Sequence, residues 1–182
     1  MKKKNFFQDY NKEFKGLLKL NLITIRKLEK VKHYLKKIKK NKKKVLIFGN
    51  GGSAAIASHF TIDLVKNTKI KCINFNEASI ITCLSNDYGY ENWVKKCIEY
   101  HASKGDMVII ISSSGQSKNM INACNQALKQ GLNPIVTLTG FKKNNMVSKL
   151  GTVNFWVDSK IYNHIENTHQ FLLLSLVDSL KN

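Results

Sequence analysis

The sequence predicts an α/β chain: a three-layer αβα sandwich around a five-stranded parallel sheet, preceded by a helical N-terminal extension. Three observations predict it. From residue 44 onward, short apolar runs alternate with segments of helical period, the pattern of a parallel sheet covered on both faces. Two of those runs lead straight into loops rich in glycine and hydroxyls, each followed by good helix formers. Ahead of them, residues 7–38 repeat apolar side chains at spacings of three and four.

The elements follow in order. Phe7, Tyr10, Phe14, Leu18, Leu22, Ile25, Leu28, Val31, Leu35 and Ile38 mark one amphipathic helix, or two broken near residues 19–21. The strands fall at 44–49, 70–75, 106–112, 133–139 and 152–157. The run Val45-Leu46-Ile47-Phe48 and the run Val108-Ile109-Ile110-Ile111 are apolar throughout, as strands buried on both faces must be. Pro134, the only proline, follows Gly131 and suits the first position of a strand. Helices are expected at about 53–66, 78–85, 90–102, 117–130 and 164–181. The last contains Phe171-Leu172-Leu173-Leu174-Ser175-Leu176-Val177, apolar on nearly every face, and so requires cover on all sides. In a chain this short, part of that cover is expected from another subunit.

With 182 residues, 43% of them hydrophobic, the chain can bury one core. A single domain over 1–182 is expected, with a helical segment at 1–43 and an α/β core at 44–182. No apolar run reaches the roughly 20 residues of a membrane helix. The basic start at Met1–Lys4 is not followed by an apolar signal core or a cleavage site, so a cytoplasmic protein without membrane contact is expected. Cys72, Cys83, Cys97 and Cys124 show no C-x-x-C spacing and read as reduced, mostly buried thiols. The net charge is +18, but residues 1–44 hold 17 basic and 3 acidic residues (+14) and the remaining 138 hold 13 and 9 (+4). All but one of the 30 basic residues are lysines, the exception being Arg26. Because arginine is the preferred reader of guanine and phosphate, this distribution argues against nucleic acid as a partner. The lysine run from Lys36 to Lys44 reads as a solvated helix face and end.

The two loops carry the chemistry. Gly49-Asn50-Gly51-Gly52-Ser53 and Ser112-Ser113-Ser114-Gly115-Gln116-Ser117 each join a strand to a helix. Such a turn leaves free backbone N–H groups at a helix N-terminus, where the dipole adds roughly half a positive charge. Each loop alone is a weak sign of a phosphate cradle. Two of them, at the carboxyl ends of strands in one sheet, are a strong one.

These segments resemble the sugar isomerase (SIS) fold and, within it, the phosphoheptose isomerases. Three motifs carry the likeness: Gly49-Asn50-Gly51-Gly52-Ser53 with His59 on the next helix; Asn86-Asp87-Tyr88-Gly89-Tyr90-Glu91; and Ile111-Ser112-Ser113-Ser114-Gly115-Gln116-Ser117-Lys118-Asn119 followed by Val136-Thr137-Leu138-Thr139-Gly140. Order and spacing agree over about residues 44–142. The resemblance implies a homotetramer, with sites completed across subunit interfaces, that converts sedoheptulose 7-phosphate into an aldoheptose 7-phosphate for cell-surface heptose. It implies that Ser53, Ser112, Ser113, Ser114 and Ser117 hold the phosphate. Asn50, Gly51, Gly52, Asn86 and Asp87 would line the sugar, and His59 would be a metal and substrate ligand. The departures lie among the groups that do the chemistry: Asp63 stands where the family has glutamate, Glu166 where it has glutamine, and Leu174 where it has a histidine that is ligand and acid.

Aldose–ketose isomerisation through an enediol needs a base beside the C–H and a group that protonates the carbonyl oxygen. His59 and Asp63 are i,i+4 on one helix, and Glu166 and His169 are i,i+3 on another. If those helices meet, two imidazoles and two carboxylates gather. That set suits either a zinc ion on His59, Asp63 and Glu166 or a metal-free acid–base group of Asp63, Glu166 and His169. The bland readings are a hydrogen-bonded structural His59, an exposed Asp63, and capping or interface roles for Glu166 and His169. Two other functions remain open. One is a non-catalytic regulator that binds a sugar phosphate or partners a DNA-replication initiator. The other is a different phosphosugar reaction. Loss of turnover with retained phosphate binding in Asp63→Ala or Glu166→Ala marks the enzyme.

Overall fold

A computed structural model describes residues 5–181; the basic start at 1–4 and Asn182 lie outside them. The amphipathic N-terminal segment is two helices, α1 (Phe6–Leu17) and α2 (Leu22–Lys40), each capped by an asparagine side chain. Asn5 Oδ1 accepts from the Phe7 and Gln8 amides and Asn21 Oδ1 from the Thr24 amide, so the break falls where the second cap starts.

The sheet contains β1 (Lys44–Phe48), β2 (Lys71–Ile73), β3 (Met107–Ser112), β4 (Ile135–Thr139) and β5 (Val153–Trp156). All pairs are parallel, in the order β2-β1-β3-β4-β5. Helices α3 (Gly52–Thr68), α4 (Ala78–Tyr88), α5 (Trp93–His101), α6 (Lys118–Lys129), α7 (Met146–Leu150) and α8 (Tyr162–Leu180) fill the crossovers and the C-terminus. The short α7, held by Asn145 Oδ1 accepting from the Ser148 amide, is not foreseen from hydrophobic period. At five residues it is too short to show one.

Side chains alternate through the strands. Val45, Ile47, Met107, Ile109 and Ile111 face a core built with α2, α3 and α8. Leu46, Phe48, Val108 and Ile110 face the opposite core, shared with α5, α6 and α7. This is the expected three-layer sandwich. Helix α8 finds most of its cover within its own chain: Leu172, Leu173, Leu176 and Val177 sit in the first core. Phe171 and Leu174 instead border an open groove with Phe14 and Leu18 of the α1 region. The lysines 36, 37, 39, 40 and 42 are exposed, as a solvated helix end should be. Cys72, Cys97 and Cys124 are buried, their thiols pushed up to about 12 chiefly by burial, and Cys83 is exposed. Among the described residues no helix is long and apolar enough to cross a membrane.

One buried carboxylate ties the lower ends of the central strands. Asp106, 1% exposed, accepts from the Lys44 amide at 3.0 Å, the Lys44 ammonium at 2.5 Å and the Ser103 amide at 2.8 Å. Asp106→Ala strands these donors, and urea denaturation is expected to show a loss of about 3 kcal/mol. A loss below about 1 kcal/mol would mean that water replaces the carboxylate.

Candidate active site

The strand order places the site. From β1 the chain moves to β2 on one side and returns to β3 on the other, so β1 and β3 form the switch point of the sheet. The loops leaving their carboxyl ends diverge there and open a crevice. Phe48 pairs with Ile110, which brings Gly49–Ser53 alongside Ser112–Ser117.

The first loop turns into α3 through Gly51, whose φ of +54° and ψ of −123° suit glycine alone. The Ser53 amide then donates to Asn50 O at 3.0 Å and closes the first turn. In the second loop, the Gly115 amide donates to Ser112 O at 2.9 Å, and the Gly140 amide to Ser113 O at 2.8 Å. Ser114 Oγ accepts from the Gln116 amide, and Ser112 and Ser117 hydroxyls meet at 3.5 Å. The loops are locked together by a reciprocal amide pair: Asn50 Nδ2 donates to Asn119 Oδ1 at 3.0 Å and Asn119 Nδ2 to Asn50 Oδ1 at 2.9 Å. Tyr90 OH adds a second donor to Asn50 Oδ1 at 3.2 Å.

A cavity of about 100 Å³ results, lined by Asn50, Ser53, Ile111, Ser112, Ser113, Ser114, Ser117, Tyr162 and Glu166. This is well below the roughly 300–1,000 Å³ of sites that enclose a whole small molecule, and suits an anionic group such as a phosphate. Ser53, Ser112 and Ser113 are buried, and Ser113 Oγ has no hydrogen-bond partner among the described residues. A buried hydroxyl left free at such a site is a donor held ready for a ligand.

Glu166 forms one wall. A Cβ on Gly52 would collide with its carboxylate, so glycine is what lets α8 bring that group over the start of α3. Burial pushes the Glu166 carboxyl above its ordinary value. At their far ends Thr68 and Leu180 border one cavity, so α3 and α8 run side by side in the same direction. Gly52, His59 and Asp63 lie within about 20° of one line along α3, His59 about 10 Å and Asp63 about 16 Å further along the axis. His59 Nε2 and Asp63 Oδ2 form an exposed pair at 3.3 Å.

The helices therefore meet, but the four titratable groups do not gather. His169 is fully buried: its Nε2–H donates to Thr139 O at 3.2 Å, beneath the end of β4. The i,i+3 spacing leaves it about 60° around α8 from Glu166, enough to point it into the core. This corrects the expectation of a catalytic His169. Burial holds its imidazole down to about 4, hence neutral. Against an ordinary 6.5, the unfolded chain binds the extra proton between these values, so stability rises with pH from 4 to 6.5 and is level above. Urea titrations are expected to show about 2 kcal/mol less stability from this group at pH 5 than at pH 7. His169→Gln, which keeps a donor for Thr139 O, removes that slope; an unchanged slope would place the titration elsewhere.

The expected zinc set of His59, Asp63 and Glu166 is likewise not formed. Among the described residues no group of three His, Cys, Asp or Glu side chains converges. Glu166 is turned over Gly52, while Leu174 lies in the groove beside α1. Asn86 and Asp87 are exposed on the last turn of α4 and do not border the cavity; Asn86 Nδ2 donates to Asp87 Oδ1 instead. Their segment reaches the site through Tyr90. Sequence reasoning missed Tyr90, Asn119 and Tyr162. The first two stand inside the quoted motifs, but their role as props of Asn50 is visible only once the loops are side by side.

The comparisons agree with this geometry. The SIS domain family matches residues 9–140. A phosphoheptose isomerase from Fusobacterium nucleatum is 33% identical over 184 residues, covering 97% of this chain and 94% of that protein. The solved phosphoheptose isomerase GmhA from Neisseria gonorrhoeae superposes with a TM-score of 0.81 at 25% identity, over 94% of this chain and 91% of its own. A phosphoheptose isomerase from Francisella tularensis gives 0.83 at 22% identity, over 97% of this chain and 98% of its own, and supports the fold. A chain with this sheet, these paired serine loops and these relatives belongs to the SIS domain family, on its phosphoheptose isomerase branch.

Proposed function

We propose that the protein isomerises sedoheptulose 7-phosphate to the aldoheptose 7-phosphate through an enediol, in the cytoplasm, as a homotetramer. The observation that carries this reading is the convergence of Ser53, the serines of residues 112–117 and Glu166 on one phosphate-sized cavity at the switch point of the sheet. The serine hydroxyls and the N-terminal turns of α3 and α6 take the phosphate. The cavity is too small for the sugar chain, which runs out past Gly52 and Glu166 along the α3 stripe toward His59 and Asp63. The phosphate and the reacting carbons sit at opposite ends of such a sugar, so the acid–base groups belong along this path. Glu166, which the sugar chain passes as it leaves the cavity, and the His59–Asp63 pair further along share the proton transfer between the two carbons and the polarisation of the carbonyl oxygen. No step is assigned to a metal, since His59 and Asp63 supply two ligands where zinc sites use three or more protein groups.

Exposed apolar side chains support the assembly. Helix α1 buries no residue, and Phe6, Phe7 and Leu22 are 69–79% exposed. The groove bordered by Phe14, Leu18, Phe171 and Leu174 is a further apolar surface suited to a second copy.

Purified protein incubated with sedoheptulose 7-phosphate in heavy water tests the reading. Deuterium is expected at the carbon beside the carbonyl, with the same rate in a chelator. Product without deuterium would replace the enediol by a direct shift, and no product would point to a regulator that only binds. His59→Ala is expected to lower kcat by about 10²-fold with a smaller change in KM; equal losses in both would make His59 a binding group.

A further inference from the structure

We propose that a second cavity, separate from the serine loops, binds a nucleoside polyphosphate. The cavity measures about 650 Å³ and lies between the α1–α2 turn, α7 and the carboxyl end of β5, two strands along the sheet from β3. It shares no lining residue with the serine-lined cavity. Its volume falls within the range of small-molecule sites, roughly 300–1,000 Å³.

Its charge is one-sided. Lys19, Lys27, Lys143 and Lys149 line it, against Asp158 as the one acidic residue on the wall. None of the four lysines has a carboxylate within 4.0 Å among the described residues. Lys27 is half-buried, and its ammonium donates to Asn154 O at 2.7 Å, which leaves further N–H donors facing the space. Burial first and the neighbouring Lys143 second hold this amine below its ordinary range. Like charges brought together in a partly desolvated hollow repel, and a bound polyanion relieves that repulsion.

The rest of the wall tells what the anion must carry. Leu17, Leu20, Ile23 and Leu172 are apolar, and Trp156 presents its indole with the Lys143 ammonium 5.6 Å from the ring centroid. The Trp156 Nε1–H is already used on Phe141 O and Lys143 stands over one face of the ring, so a base stacks on the indole when that ammonium turns to the phosphates. A bare inorganic anion would leave this apolar half wet. A ligand with several phosphates and a flat ring uses both halves: the ammonium groups take the phosphates and the indole takes the base by stacking.

Titration of the intact chain with ATP, followed by the change in Trp156 emission, tests this. Saturable binding is expected, tighter than that of inorganic triphosphate, with Lys27→Ala/Lys143→Ala raising Kd by about tenfold or more. Lys36→Ala/Lys37→Ala, in the exposed lysine run of α2, is expected to leave Kd unchanged. Lys27→Met keeps the alkyl stem and gives the same loss if the alanine pair melts early. Absence of saturable binding, equal loss in both lysine pairs, or displacement of ATP by sedoheptulose 7-phosphate would overturn the proposal. The readout is binding, so it stands or falls apart from the isomerase reaction.

Discussion

Glu166→Gln is expected to lower kcat by about 10²–10⁴-fold while KM for the sugar phosphate stays within a few-fold. The substitution keeps volume and hydrogen-bonding reach and removes only the titratable proton. Glutamine is also the residue that the family resemblance places here, so the fold has no reason to reject it. In this chain the family histidine eight residues further along α8 is replaced by Leu174, which lies in the groove beside α1 and can neither accept nor donate a proton. The carboxyl at 166, the acidic group that lines the cavity, takes over that task in the proposed reaction. It stands on the wall of the serine-lined cavity, and burial raises its affinity for a proton. Deuterium uptake in heavy water is expected to fall in parallel with turnover. A variant with full exchange would shift the proton transfer to Asp63 and reduce Glu166 to a wall of the cavity.

The second large effect is expected at Gly115. Its φ of +65° lies in the left-handed region, and a Cβ there would overlap the buried Asn145 side chain. Asn145 cannot simply move: its Oδ1 accepts from the Ser148 amide at 2.8 Å and its Nδ2 donates to Lys142 O at 2.8 Å. The Gly115 carbonyl meanwhile accepts from the Val147 amide at 3.1 Å, so the serine loop and α7 are fastened to each other. Gly115→Ala adds left-handed strain of about 1–2 kcal/mol and overpacking of about 1–3 kcal/mol. A melting point lower by about 5–15 °C follows for a chain of this size. The serine loop is displaced as well, so KM is expected to rise more than kcat falls. Wild-type KM in a destabilised variant would show that the loop holds its shape without α7.

The alternation of strand and helix, both glycine- and serine-bearing loops and the break between the first two helices were legible in the sequence. Each is a short-range consequence of residue type. β-branched runs such as Val108–Ile111 need burial on both faces, Gly51 permits a turn closed to other residues, and Asn21 caps the helix behind it. What the sequence could not decide was which chemical groups share a space. Periodicity puts Glu166 and His169 on neighbouring faces of α8. Only the packing of α8 against both α3 and the end of β4 sends one carboxylate over Gly52 and one imidazole into the core. The same packing leaves His59 and Asp63 as a pair with no third ligand among the described residues, and makes Asn119 and Tyr90 the props of Asn50. Local propensity depends on neighbours three or four residues away. A site depends on crossing angles and close approaches between elements far apart in the chain, and those are set by how the whole core fills its volume.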